Sequence, residues 1–574
     1  MKANAMILHH PEAVNTNGAR VMGRHSAGEG FLKGFVRFAD VERFYCYAPQ
    51  VGHYRDFEQH VAAYSGRARK PTTWISPLHL GRTDLPDCLY VPGPGIDEIA
   101  WLRRRYDQRA FSVCGVTHTI STTRVMERLG ALLTAPVQRW DALICTSRAV
   151  KAAVTGVLES YGTYLRRRLG ANVRNIVELP VIPLGVDSAA FAESERSDSL
   201  RAEWRGSLGI AEDDVAILFL GRLSFHAKAH PVPMYLGLQK AAKRSCRKLH
   251  LIQAGQFPNA AVERQFREAA RTLCPDVGAI YVDSRPAENR NGAWRAADIF
   301  VSLSDNIQES FGLTPIEAKA AGLPSVVSDW DGYRDTIRHG IDGFTIPTRL
   351  PKAPNGEDLA FAHRSEVDSY DRYIGHVSQC TAVDVDAIAE AMTRLADNAE
   401  LRRRMGDAAR RHARETFDWS VVIASYQELW SELAARRRTA QETAIRKADD
   451  SAMPLFDDPF AVFAHYATAP MVDSDIVAIN SSGDAEQLDK LLQFEMNRFA
   501  SGYLVSRELY DNILRALHDY GPSTVGDLAR LVPAFRRAAL IRTIAWLGKM
   551  GAVRIGAGAD IPVRKPEYVG EAAE

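Results

Sequence analysis

The chain has 574 residues, 46% hydrophobic and 25% charged, with 71 Lys and Arg against 70 Asp and Glu for a formal net charge of +1. That length accommodates two large domains and something further, and the charge balance sets aside nucleic acid as a dominant electrostatic partner. No apolar run reaches the roughly eighteen residues that a membrane span needs, and the N-terminus is too short in apolar length for a secretory leader. Seven cysteines, odd in number and without a Cys-x-x-Cys pair, fit free thiols in a reducing, cytoplasmic compartment. No metal-ligand cluster stands out.

In chain order, residues 5–8 predict a first short strand, ending at His9 and His10. Ser26-Ala-Gly-Glu-Gly-Phe31 reads as a loop in which Gly28 and Gly30 let backbone approach a phosphate or an acceptor closely. Segments 43–47, 73–75, 88–91, 111–116 and 142–145 continue the strand series. His118 follows the strand at 111–116; a histidine there is more often a structural hydrogen-bonder, and it can also titrate near neutrality. Two basic runs, Trp101-Leu-Arg-Arg-Arg105 and Tyr164-Leu-Arg-Arg-Arg168, read as solvated helix faces, with peripheral contact to an anionic inner membrane face as the lesser reading.

The second half repeats the strand–helix beat more clearly. Residues 214–220 are continuously apolar, as a strand covered on both faces requires. A helix at 233–244, a strand at 248–254, a helix at 260–272, and strands at 279–282 and 298–304 follow. The alternation predicts an α/β protein with a doubly wound parallel sheet. Gly221-Arg222-Leu-Ser-Phe-His-Ala-Lys228 closes the first of these strands. Arg222 forks onto phosphate oxygens and Lys228 supplies a point charge, which suits a developing diphosphate leaving group.

After the strand at 298–304 comes Glu309-Ser-Phe-Gly-Leu-Thr-Pro-Ile-Glu317. Phe311-Gly312 reads as a turn and Thr314-Pro315 as the opening of a helix that stops at Gly322. Glu309 then lies in the loop before the helix and Glu317 in its first turn. Between them the amides of Gly312, Leu313 and Thr314 form an anion site. An acidic first turn is also what any helix dipole favours, so the pair gains its meaning from the motifs around it. A short strand follows at 324–329, then a helix ending near Gly340. Residues 351–377 interrupt the pattern as a lid or a surface excursion.

Gly221-Arg222-Leu with Lys228, the Glu309–Glu317 stretch, Ala320-Ala-Gly-Leu-Pro324 and Gly340-Ile-Asp-Gly-Phe344 together resemble the signature set of the family 4 retaining glycosyltransferases. Val181-Ile-Pro-Leu-Gly-Val-Asp187 is similar to the segment that enters that family's second domain. The resemblance implies a GT-B fold of two Rossmann-like domains facing a cleft, where ligand sites gather: an acceptor-side domain at 1–185 and a donor domain at 186–437 with a closing helix. It implies a nucleoside diphosphate-sugar donor, transfer with retention at the anomeric carbon, and neither metal nor cofactor. Arg222 and Lys228 would hold the diphosphate with the amides of Gly312, Leu313 and Thr314. Glu317 would take the ribose hydroxyls and Glu309 the sugar. His118 would meet the sugar from the other domain, and Gly28 and Gly30 would flank the donor. The acceptor, whether glycan, lipid, protein or metabolite, is not readable.

Past a charged helix, a linker is expected over 438–480. Helices at 508–520, 523–531 and 536–550 and a strand at 552–555 predict a winged-helix-like domain at 481–574. Its third helix carries Arg536, Arg537, Arg542 and Lys549, as a DNA reader would, but it is also heavily apolar. A role in protein contact or homo-oligomer formation is therefore preferred to DNA binding. Two rivals stand: a pyridoxal-phosphate GT-B phosphorylase, and a catalytically silent GT-B scaffold that binds through its C-terminal domain.

Overall fold

The computed structural model describes residues 3–15, 23–66, 69–192, 195–480 and 485–557. The chain divides into two compact units, Met1–Met453 and Pro454–Glu574.

The first unit holds two six-stranded sheets. One is built from β1 (Ala5–Leu8), β2 (Phe44–Tyr47), β3 (Thr72–Ile75), β4 (Cys88–Val91), β5 (Ser112–Val116) and β6 (Ala142–Ile144), in the order β3-β2-β1-β4-β5-β6. The other is built from β7 (Val215–Leu220), β8 (Leu249–Gly255), β9 (Gly278–Asp283), β10 (Ile299–Ser302), β11 (Ser325–Ser328) and β12 (Gly343–Ile346), in the order β12-β11-β10-β7-β8-β9. Every pairing in both is parallel. Each order reverses once, between β1 and β4 and between β7 and β10. Open sheets of this kind bind ligands beyond the strand ends at that reversal. The apolar run of β7 is buried along its whole length, because helices cover both sheet faces with separate cores. The two Rossmann-like domains of a GT-B fold are thus present.

Several expectations are corrected. The segment holding Gly28 and Gly30 is not a loop but part of the helix Gly23–Phe38. A Cβ on Gly28 would lie 2.5 Å from the carbonyl oxygen of Ala13, and one on Gly30 would lie 2.9 Å from the Trp419 ring. These glycines make room for neighbouring chain, with Trp419 arriving from the helix Trp419–Thr439. That helix returns from the second sheet and buries Val422, Tyr426, Trp430 and Leu433 in the core of the first. The run at 101–105 is not simply solvated either. Arg103 is fully buried and forks onto Asp141 with both contacts at 2.7 Å, since a carboxylate buried beside β6 requires a cation. At the run 164–168, Arg166, Arg167 and Arg168 are exposed, as expected.

The helix after β11 ends at Thr336, well short of Gly340, and β12 follows where no strand was read. The expected linker over 438–480 is structured at both ends. Residues after 439 run along the first sheet, with Arg109 donating to the Ala440 carbonyl at 2.7 Å, Thr443 N donating to Gln138 Oε1 at 2.9 Å and Arg104 donating to the Ala452 carbonyl at 3.0 Å. At the other end, residues 476–479 form a strand of the second unit. The excursion after β12 is framed by a two-residue ladder, β13 (Thr348–Arg349) with β14 (Ala382–Val383), and contains two helices, Glu357–Arg364 and Tyr370–Gln379. Among the described residues no helix is long and apolar enough to cross a membrane.

The second unit has a three-stranded antiparallel sheet of β15 (Ile476–Ile479), β16 (Ser523–Thr524) and β17 (Val553–Gly556), in the order β16-β15-β17. Helices Arg507–Tyr520, Val525–Arg530 and Arg537–Lys549 pack on it. Leu540, Ile544 and Leu547 of the last helix are buried in this core, while Arg536, Arg537 and Lys549 are exposed.

Gly30→Ala separates the two readings of the Gly28–Gly30 stretch. Overpacking against Trp419 should lower stability by about 1–3 kcal/mol, read from denaturant melts, with nucleotide affinity unchanged. Unchanged stability with weakened nucleotide binding would restore the phosphate-approach role.

Candidate functional site

The reversal point of the second sheet assembles the site. Arg222 and Lys228 leave β7, and Glu309 leaves its neighbour β10. The two loops are stitched together: Ser304 donates to the Lys228 carbonyl at 3.2 Å, Asn306 donates to the His226 carbonyl at 2.5 Å, and His230 N donates to Asp305 Oδ2 at 3.2 Å. Lys228 Nζ then meets Glu309 Oε2 at 2.5 Å, each side chain 16% exposed. The Tyr333 hydroxyl lies 3.4 Å from both groups and 2.8 Å from Ser302 Oγ. Burial disfavours the Lys228 ammonium, but the Glu309 carboxylate outweighs it and raises the pKa. Burial likewise pushes Glu309 up, and Lys228 more than reverses it, holding the carboxyl below its ordinary value. Both groups are charged. Arg222 Nη2 donates to Gln308 Oε1 at 2.6 Å and to the Ala227 carbonyl at 3.0 Å, which fixes its guanidinium at the same strand end.

Gly312 takes φ 91° and precedes the helix Leu313–Ala321. A Cβ there would lie 2.2 Å from the Tyr333 ring, so both backbone and packing call for glycine. The helix opens at Leu313, with Pro315 third, so Glu317 falls in its second turn and not its first. First-turn amides have no acceptor within their own helix, so those of Leu313 and Thr314 are available to an anion. Thr314 Oγ1 is buried without a hydrogen-bond partner. Burial raises the Glu317 carboxyl, opposed by Arg290 and Lys228, which places it in the same electrostatic neighbourhood.

The first sheet supplies the facing wall. His118 is partly buried, in the loop after β5. The next residue, Thr119, donates to the Gln308 carbonyl at 3.1 Å, which brings that loop against the one bearing Glu309. Ser147 donates to the Ser310 carbonyl at 2.9 Å and lies 3.3 Å from Asp331 Oδ1. Asp331 has φ 43°, rare for a residue with a side chain, and its Oδ2 is buried without a partner. Burial, then the nearby Glu309, pushes its pKa up to about 8. Gly28 and Gly30, on the helix Gly23–Phe38, are taken up by packing against Ala13 and Trp419. Of the first strand's histidines, His9 pairs with Asp56 at 2.6 Å, and His10 Nδ1 accepts from Glu12 N. Tyr333, Asp331, Ser147 and Gln308 were not singled out in the sequence. The available signal was position, since Ser147 and Asp331 follow β6 and β11 as Arg222 follows β7. Among the described residues no three His, Cys, Asp or Glu side chains gather as a metal-ligand set.

Residues 201–356, which include Arg222, Lys228, Glu309 and Glu317, match the family Glycosyl transferases group 1. The chain carries a glycosyltransferase group 1 domain. The D-inositol 3-phosphate glycosyltransferase of Geodermatophilus obscurus is 30% identical over 199 residues, 34% of this chain and 40% of that protein. The enzyme of the same name from Corynebacterium glutamicum is 27% identical over 270 residues, 46% of this chain and 54% of its own. This chain thus spans about half the length of the curated relatives it matches. Among solved structures, Anabaena HepE in complex with UDP aligns with 75% of this chain and 100% of its own at 14% identity and a TM-score of 0.48. Sucrose-phosphate synthase from Thermosynechococcus elongatus aligns with 76% of this chain at 15% identity and a TM-score of 0.45. The glycosyltransferase domain contains the whole switch-point constellation, while His118 and Ser147 lie upstream of it.

Asp331 gives a pH test of the closed cleft. Its pKa is raised on folding, so the folded protein holds a proton that the unfolded chain releases above the ordinary carboxylate range. Stability therefore falls as pH rises from about 4 toward about 8, and levels off above. Asp331→Asn, which tolerates the same backbone, should flatten that fall in denaturant melts taken at pH 5 and pH 8 relative to wild type. Identical pH slopes would place Asp331 in water.

Proposed function

We propose that this protein transfers a sugar from a nucleoside diphosphate donor to an acceptor, with retention at the anomeric carbon and without a metal ion. The observation that carries the reading is the Lys228–Glu309 pair at 2.5 Å, set beside Arg222 and the start of the helix Leu313–Ala321 at the reversal of a parallel sheet. An incoming diphosphate competes with Glu309 for Lys228. Lys228 and Arg222 then stabilise the departing charge, with the amides of Gly312, Leu313 and Thr314. Glu309, released from its partner, is free to accept from sugar hydroxyls, and Glu317 does the same for the ribose. His118 approaches the sugar from the facing wall. The leaving group departs on the face from which the acceptor attacks. The second unit, with its winged-helix-like order of elements and tightly packed third helix, is read as a protein-contact module.

The decisive assay is release of nucleoside diphosphate from uridine, guanosine and adenosine diphosphate-sugars, with each candidate acceptor class. Turnover of none of them, together with tight binding to a protein, would favour the silent scaffold. An aldehyde cofactor absorbance band on the purified protein would favour the phosphorylase. Arg222→Ala and Lys228→Ala should each cut turnover about 100- to 1000-fold while the fold survives. Near-normal rates in both would remove the diphosphate assignment.

Excess chelator should leave the rate unchanged, because two fixed cations and a helix N-terminus already supply the positive field that a divalent ion would give. Loss of activity restored by magnesium or manganese would overturn this.

A further inference from the structure

The helices Glu357–Arg364 and Tyr370–Gln379 lie just beyond residues 201–356, the stretch that matches the family. They nevertheless form a wall of the site. A Cβ on Gly375 would sit 3.0 Å from that of His226, so the second helix rests its backbone on the loop between Arg222 and Lys228. Ser378 donates to Asp305 Oδ1 at 2.9 Å, and both residues are buried. On the opposite side the pair reaches the first sheet: His363 Nε2 is 3.3 Å from Thr123 Oγ1, and Arg364 pairs with Glu127 at 3.7 Å.

Tyr370 stands where these contacts converge. Its hydroxyl accepts from Gln308 Nε2 at 3.3 Å and lies 2.8 Å from Ser121 Oγ. The same Gln308 amide accepts from Arg222 Nη2 through its oxygen at 2.6 Å. An amide has one accepting and one donating end. Arg222 can only donate, so the oxygen must face it, since the flipped amide would set two donors against each other there; the donating end is then left for Tyr370, whose hydroxyl accepts it and anchors the amide. We propose that Tyr370 is a positioning residue. Through Gln308 it holds Arg222 toward the diphosphate, and through Ser121 it makes that orientation depend on the N-terminal half being closed. The proposal rests on the diphosphate role given to Arg222 above.

The test uses the full chain and calorimetry with UDP, GDP and ADP, each paired with its monophosphate, on wild type, Tyr370→Phe, Gln308→Ala, Ser121→Ala and Arg222→Ala. Loss of the neutral hydrogen bonds of this network predicts about a 3- to 10-fold weaker affinity for the preferred diphosphate in the Tyr370 and Ser121 variants, and at least as large a loss in the Gln308 variant, which also gives up the bond to the charged Arg222. Monophosphate affinity and melting temperature should stay unchanged. The double variant Tyr370→Phe/Gln308→Ala should lose no more than the larger single loss, because both act on one network. Equal losses for mono- and diphosphate, additive losses in the double variant, or an unaffected Ser121→Ala would overturn the proposal. So would full diphosphate affinity in Tyr370→Phe while Arg222→Ala loses it. If Arg222→Ala also binds diphosphate normally, or wild type binds none of the three, the reading beneath the proposal fails and the proposal falls with it.

Discussion

The contact between Lys228 and Glu309 ties the rest of the site together. Neither group could be held charged and partly buried alone, since an uncompensated ion in such a place costs several kcal/mol. Each therefore fixes where the other's loop must run. One loop leaves β7 and the other β10, the two strands that flank the reversal of the sheet, so the pair is also what draws the switch-point crevice to a definite width. The polar stitching of Ser304, Asp305 and Asn306 onto the loop at 224–230 serves the same end. It leaves the two charged tips with little freedom but each other.

Much of this is legible in the sequence. A strand covered on both faces announces itself as an unbroken apolar run, which is why residues 215–220 and 249–255 were found with their order intact. Arg222, Lys228, Glu309 and Glu317 stood out because their spacing around glycines is informative within a few residues. What could not be read depends on partners distant in sequence. Gly28 and Gly30 resemble a phosphate loop until Ala13 and Trp419 are seen to occupy the space they leave. Arg103 resembles a surface cation until Asp141 is placed against it. Ser147 and Asp331 sit in unremarkable loops and Tyr333 opens the short helix that ends at Thr336, and only the parallel order of strands brings them to one crevice. The two helices that begin within 351–377 escape the sequence for a related reason. In Glu357–Arg364 no residue is buried, so it has no apolar stripe strong enough to declare a period.

The C-terminal unit presents the opposite balance. The three helices expected there are readable because each buries a regular stripe, as with Tyr510, Ile513, Leu514 and Leu517. Of its sheet only β17 is readable, as the strand at 552–555, because β15 enters from a Pro- and Asp-rich stretch that looks like linker and supplies the central strand between β16 and β17.

The hydroxyl of Ser147 permits an inventory of protons. It owns a single hydrogen, and the 2.9 Å contact to the Ser310 carbonyl uses it. Its lone pairs accept Val150 N, 3.1 Å away at the head of the helix Arg148–Leu169, while Asp331 Oδ1 stands 3.3 Å off as a second acceptor for the same hydrogen. Only one of the two acceptors can hold it at a time. The seam between the two halves of the cleft thus turns on a single hydrogen, which Ser147 can give to the loop bearing Glu309 or to the loop after β11 but not to both at once.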